Sequence, residues 1–154
     1  LIFIPSGFAS AQVLAIKAGK KGEVLDVTSE KVQGMELGIA WRDKHKAPKK
    51  PSLLFLNELL FGIEDNGSVT CWEAETGKVL WSERLPGHYS ASPIGTGSRV
   101  YCFSEEGKTT VFEARPEFRK LSENLLGDGF MASAAVSEEA LFLRSKTRLY
   151  RVQN

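Results

Sequence analysis

Short apolar runs, bounded by Gly, Asn, Asp and Ser, recur along the whole chain. Leu59-Leu60-Phe61-Gly62-Ile63, Val100-Tyr101-Cys102-Phe103 and Ala140-Leu141-Phe142-Leu143 are apolar nearly throughout. A sheet with one wet face alternates apolar and polar positions, so continuous runs predict strands covered on both faces. Val79 to Arg84 turns polar toward its end, as an edge strand does. Asp65-Asn66-Gly67, set between two apolar runs, predicts a hairpin with a type I′ turn, whose central residues need positive φ. Glu106-Gly107 fills the same role later in the chain. Glu75-Thr76-Gly77 closes a further hairpin, with Gly77 left-handed and the Thr76 hydroxyl bonding nearby backbone. No amphipathic stretch of helical length separates these runs, which disfavours an α/β fold. Ser29 to Leu37 holds at most a turn of helix, weakened by Gly34 and Gly38.

The runs repeat at an interval of 40 or 41 residues. Glu73-Ala74 returns as Glu113-Ala114, and Gly67 as Gly107. Leu60-Phe61 returns as Val100-Tyr101 and then as Leu141-Phe142. Trp41 returns as Trp81, and Leu121 stands a further 40 on. Strands are expected at 1–5, 11–18 and 39–43, then at 52–56, 58–64, 68–74 and 79–84. The next set is 91–95, 99–104, 108–114 and 117–123, and the last is 131–137, 139–144 and 147–153. Antiparallel four-stranded units of about 40 residues, covered on both faces, describe β-propeller blades. The expected fold is all-β, with blades at 1–43, 51–84, 91–123 and 131–153 and an insertion at 19–38. The first blade lacks its innermost strand and the last its outermost. The expected object is thus about three and a half blades of an incomplete ring.

Cys71-x-Glu73-x-x-Thr76-Gly77-x-x-x-Trp81 resembles the A-x-D-x-x-T-G-x-x-x-W repeat of the pyrroloquinoline-quinone (PQQ) propellers, the quinoprotein alcohol dehydrogenase-like family. Ser90-Ala91-Ser92-Pro93-Ile94, followed by Arg99-Val100-Tyr101, is similar to that family's inner strand and the strand after it. The register extends over nearly the whole chain, strongest in the second unit and weakest in the last. Cys71 and Glu73 depart from the family's Ala and Asp. Arg115-Pro116 stands in place of Thr-Gly, and Leu121 in place of Trp. The resemblance implies that Trp41 and Trp81 dock between neighbouring blades, that Glu73, Thr76 and Gly77 support them, and that Leu121 acts as a smaller apolar plug. It also implies the C-terminal half of a longer propeller.

Bulk composition narrows the picture. The 154 residues carry a net charge of +1, with 42% hydrophobic and 25% charged. That is an ordinary globular composition with no electrostatic bias toward nucleic acid or an anionic membrane. No apolar run reaches the roughly 18 residues of a membrane span. Leu1 to Gly7 reads as a strand already under way, so any targeting signal is expected upstream. Cys71 and Cys102 lie in apolar strands, and the sequence leaves both a pair of buried thiols and a disulfide open. His45 and His88 lie in connectors without metal-ligand spacing. Gly95-Thr96-Gly97 is a turn rather than a nucleotide loop. Asn66-Gly67-Ser68 matches a glycosylation sequon inside an expected tight turn.

Two features could bind something. The run Arg42 to Pro51 carries Lys44, Lys46, Lys49 and Lys50 on a connector stiffened by Pro48 and Pro51, and is a candidate patch for an anion or acidic partner. The insertion at 19–38 is expected to be an outer-rim loop. No vicinal cysteines and no calcium-loop spacing occur. No cofactor is therefore expected, with PQQ and calcium reserved for a true quinoprotein whose site lies largely outside this segment. The expected function is a non-catalytic scaffold for a protein or extended ligand, periplasmic or secreted by resemblance to bacterial family members. Part of a PQQ-dependent oxidoreductase is the alternative. Completion of the ring is expected from missing blades or from a second copy, and light scattering distinguishes them by returning a monomer or a dimer mass.

Overall fold

The computed structural model describes residues 1–7, 11–19 and 38–153. All regular elements among them are strands, gathered into four antiparallel sheets that follow one another along the chain. β1 (Ile2–Ser6), β2 (Gln12–Ile16) and β3 (Ile39–Asp43) form the first sheet. β4 (Leu54–Leu56), β5 (Leu59–Ile63), β6 (Ser68–Glu73) and β7 (Val79–Arg84) form the second. β8 (Ile94–Thr96), β9 (Arg99–Phe103), β10 (Lys108–Glu113) and β11 (Lys120–Leu125) form the third. β12 (Ala135–Ser137), β13 (Ala140–Arg144) and β14 (Leu149–Val152) form the fourth. These are β-propeller blades in an incomplete ring, as the repeat requires. Of the insertion expected at 19–38, residues 20 to 37 lie outside the described residues, and so does the helical turn expected at Ser29 to Leu37.

The core is a series of layers between sheets rather than one centre. Leu60 and Trp72 of the second sheet pack toward Val13 and Trp41 of the first. On the opposite face Phe61, Ile63 and Cys71 pack against Val100, Cys102 and Phe112 of the third. Phe103 then meets Phe130 and Leu143 of the last. β5 is buried at every position because both its faces are interfaces. β11, on the outside of its sheet, is exposed at every position.

Two expectations need correction. The hairpin at Asp65-Asn66-Gly67 is not type I′: only Gly67 has positive φ (91°). Gly67 N–H bonds Glu64 O at 2.8 Å, and a Cβ on Gly67 would stand 2.2 Å from Leu85 O. Glycine is needed there for both conformation and space. The turns with two consecutive positive φ lie instead at Asn57-Glu58 and Glu138-Glu139, at the inner edge. The second correction concerns Leu121. Each outermost strand carries a bulge, at Ala40, Leu80 and Leu121, because Trp41, Trp81 and Ser122 pair with Ala15, Cys71 and Val111. Leu121 is therefore the bulged residue, 41% exposed, and Ser122 holds the tryptophan register. The turn before β11 is one residue longer than its counterpart in the preceding sheet, since Glu73 N–H bonds Lys78 O whereas Glu113 N–H bonds Arg119 O, and the interval there becomes 41.

The most deeply buried tryptophan lies outside the repeat signature. Trp81 is half-buried, whereas Trp72 has no exposed surface. Trp72 sits between the first two sheets and donates from Nε1 to Asp43 Oδ2 at 2.9 Å. Gly62 lies against its ring, where a Cβ would come within 3.2 Å. Trp72→Ala is expected to lower stability by about 3–5 kcal/mol in denaturant unfolding. A loss below about 1 kcal/mol would place Trp72 outside the core.

Candidate functional site

The repeat signature is spent between sheets. Trp41 Nε1 donates to Ala74 O at 2.9 Å, from the first sheet to the second. Trp81 Nε1 donates to Arg115 O at 3.1 Å, from the second to the third. Gly77 lies flat on the Trp41 indole: its φ is +74°, and a Cβ would come 2.4 Å from the ring. Thr76 Oγ1 donates to Glu73 Oε2 at 2.5 Å and accepts from Lys78 N–H at 3.2 Å, which closes the turn that presents Gly77. One sheet later Phe118 and ion pairs replace that turn. Trp81 meets Phe118 at 5.1 Å between ring centroids, and Arg115 pairs with Glu113 and Glu117.

The lysine-rich connector is not one uniform patch. Lys50 bridges into the neighbouring repeats: its Nζ lies 3.6 Å from Asp65, 3.9 Å from Glu105 and 3.3 Å from Ser90 Oγ. Lys46 and Lys49 face Glu64, whose carboxyl burial pushes above its ordinary value while these lysines and Arg84 pull it down. Lys44 is exposed. Asp43 organises the start of the run, accepting His45 N–H at 2.8 Å on the carboxylate oxygen that Trp72 does not use.

The connectors between later sheets are clamped by carboxylates that sequence reasoning did not single out. Glu106 accepts His88 N–H on both oxygens at 3.1 Å, and its Oε1 lies 3.0 Å from His88 Nδ1. The hydrogen bonds from His88 hold the Glu106 carboxyl down at about 2. Asp128 accepts from Thr147 Oγ1 at 2.6 Å, Ser145 Oγ at 2.7 Å and Thr147 N–H at 2.9 Å, and these bonds also hold it at about 2. The two clamps exchange roles. At the second connector the acid lies on the hairpin, and at the third it lies on the connector. Position-by-position comparison therefore hides a shared contact. Tyr89 was also missed: it lies in a connector yet is fully buried, its hydroxyl donating to Pro86 O at 3.2 Å.

Cys71 and Cys102 are free and buried, with desolvation pushing both thiols up to about 12. Such thiols are inert packing groups. Among the described residues no cluster of three or more His, Cys, Asp or Glu could hold a metal ion. The carboxylates Asp65 and Glu105 are bridged by Lys50 instead. A cavity of about 610 Å³ is lined by Leu1, Phe3 and Phe55 and by Glu58, Glu73 and Glu75. The two phenyl rings stack there at 5.8 Å. No described helix is long and apolar enough to cross a membrane.

A family model described as outer membrane protein assembly factor BamB matches residues 21–117, more than half of the chain. No curated protein sequence matches. Among solved structures, BamB from Moraxella catarrhalis superposes with a TM-score of 0.60 at 16% identity, over 72% of this chain and 33% of that one. A europium-containing methanol dehydrogenase superposes with a TM-score of 0.56 at 15% identity, over 80% and 22%. A computationally designed protein, Ika8, gives 0.53 at 15% identity, over 65% and 32%. The chain thus spans about a third or less of the length of these structures, and at such identities the likeness is one of fold.

The clamp at the third connector predicts a pH dependence. A carboxylate held below its unfolded value stabilises the fold fully above that value and loses the contribution as pH falls through the folded one. Asp128→Asn should therefore destabilise the chain at neutral pH. The gap to the wild type should close between about pH 4 and about pH 2 in denaturant titrations. A gap that stays constant over that window would remove the charge from the clamp.

Proposed function

The chain belongs to the PQQ-like propeller family of the outer membrane protein assembly factor BamB, and from that premise we propose that it is a non-catalytic, protein-binding propeller segment acting outside the cytoplasm, in the periplasm or as a secreted protein. One observation carries this reading. The signature residues Trp41, Glu73, Thr76, Gly77 and Trp81 are all engaged in turns and contacts between sheets. They build a rigid surface and leave no reactive group among them. The BamB match supplies the direction, since that protein is named for outer membrane protein assembly. The partner is correspondingly a protein or extended ligand, and Lys44, Lys46 and Lys49 offer the basic part of the connector face.

The second reading, part of a quinoprotein oxidoreductase, is favoured by the methanol dehydrogenase superposition. It needs a cofactor site supplied by other parts of a longer chain. A redox-dye assay of the protein with added PQQ and Ca²⁺ separates the two. The expected result is no alcohol-dependent dye reduction and no saturable PQQ binding. Calcium-dependent dye reduction would overturn the scaffold reading.

A further inference from the structure

The hairpin tips on the connector side of the second and third sheets differ in one respect. In the third, Glu106 accepts His88 N–H and so holds the connector beside it. At the repeat interval of 40, Asn66 takes the place of Glu106, and Pro48 that of His88. Proline has no N–H to offer. The Asn66 side chain turns to its own strand instead, where Oδ1 accepts Ser68 N–H at 2.9 Å. Among the described residues its Nδ2 has no hydrogen-bond partner, and Asn66 is exposed. The second sheet thus presents an uncommitted side-chain amide at its hairpin tip.

The sequence around that amide is an acceptor sequence. Asn66-Gly67-Ser68 is an N-glycosylation sequon, with no proline between the asparagine and the hydroxyl residue. Glu64 stands two residues ahead of Asn66. Glu64-Asp65-Asn66-Gly67-Ser68 therefore also matches the longer acid-x-Asn-x-Ser acceptor of bacterial oligosaccharyltransferases, which work outside the cytoplasm. The fold decides when this acceptor can be read. Gly67 is buried, its N–H bonding Glu64 O at 2.8 Å and its carbonyl accepting Leu85 N–H at 2.9 Å. Asp65 O accepts Tyr89 N–H at 3.0 Å, and half-buried Glu64 faces Lys46, Lys49 and Arg84. Once residues 85–89 are in place, only the Asn66 side chain stays open to solvent. A transferase that reads all five residues must reach them before that connector docks.

We propose that Asn66 is an N-glycan acceptor, modified by an oligosaccharyltransferase outside the cytoplasm before residues 85–89 close over the hairpin. Asn66 Nδ2 forms a bond to the anomeric carbon of a lipid-linked oligosaccharide. The bond from that carbon to the pyrophosphate oxygen breaks, the lipid pyrophosphate leaves with the electron pair, and one amide proton passes to a base of the transferase. The folded hairpin tolerates the product, because Oδ1 keeps its bond to Ser68 N–H and the glycan takes only the atom that the fold leaves unused. The proposal rests on the reading above that the chain acts outside the cytoplasm.

The test separates acceptor from compartment. In the first arm a purified bacterial oligosaccharyltransferase and its lipid-linked oligosaccharide meet either a blocked peptide of residues 62–70 or the folded 154-residue chain. The peptide should gain one glycan by mass spectrometry. The folded chain should react about tenfold or more slowly, because the hairpin must first open locally. In the second arm the chain, carrying a signal peptide, is expressed in bacteria that hold the same transferase, and it should gain one glycan at Asn66. Asn66→Gln, Ser68→Ala and Glu64→Gln should each abolish the gain in both arms. Ser68→Ala keeps the backbone N–H that Asn66 accepts, and the peptide needs no fold, so the test stands even where Asn66→Gln alters folding. An unmodified peptide overturns the site, as does a glycan that survives Ser68→Ala. A folded chain as fast as the peptide overturns the order of events, and so does an exported chain that stays unmodified while the peptide reacts. Native protein recovered from the cytoplasm overturns the compartment reading even where the peptide is a good acceptor, whereas a poor peptide removes this site alone.

Discussion

Ladder hydrogen bonds hold the strands of each sheet together, so the arc depends on what passes between sheets. The outer-strand tryptophans meet that need most directly. A large ring supplies buried apolar area, and its N–H satisfies a carbonyl at the end of the next sheet. Everything around Trp41 follows from seating it. Gly77 must lack a side chain, Thr76 and Glu73 must hold the turn at that angle, and the bulge at Ala40 reorients the strand beside it. The third sheet reaches the same end with different chemistry. Phe118 and the Arg115 ion pairs flank Trp81 where no Thr-Gly turn is available.

A second system of contacts ties the inner edges and connectors together. It is polar, where the first is aromatic. Serine hydroxyls accept backbone N–H groups from the preceding repeat, and Lys50 spans to Asp65 and Glu105. Glu106 and Asp128 secure the later connectors to the hairpins beside them. These groups are partly solvated, so each contributes modestly to stability. Their larger effect is to fix how one blade sits beside the next. A surface fixed in this way suits recognition of another chain.

The sequence by itself determined the architecture and most of the strand register. An interval of 40, both-face apolar runs and the Thr-Gly-Trp signature leave few alternatives, and the number of strands in each sheet could be read from them. Trp41, Trp81 and Gly77 were legible as a set because a repeat displays its own packing rule. Leu121 was misread because the turn from β10 to β11 holds one residue more than the turn from β6 to β7, and Asp65-Asn66-Gly67 because a favourable dipeptide does not fix which residue takes positive φ.

Only the tertiary structure decided the rest. Trp72 looks in sequence like any strand aromatic, and its burial comes from Gly62 beneath it and the first sheet against it. The lysine run looks like one basic patch, yet Lys50 is paired with acids from two other repeats. The Glu106 and Asp128 clamps swap acid and donor between hairpin and connector, so no positional pattern reveals them. Local pattern fixes strands because strand formation is local. Sites made between repeats depend on contacts some 15 to 40 residues apart in the chain, and only folding brings those together.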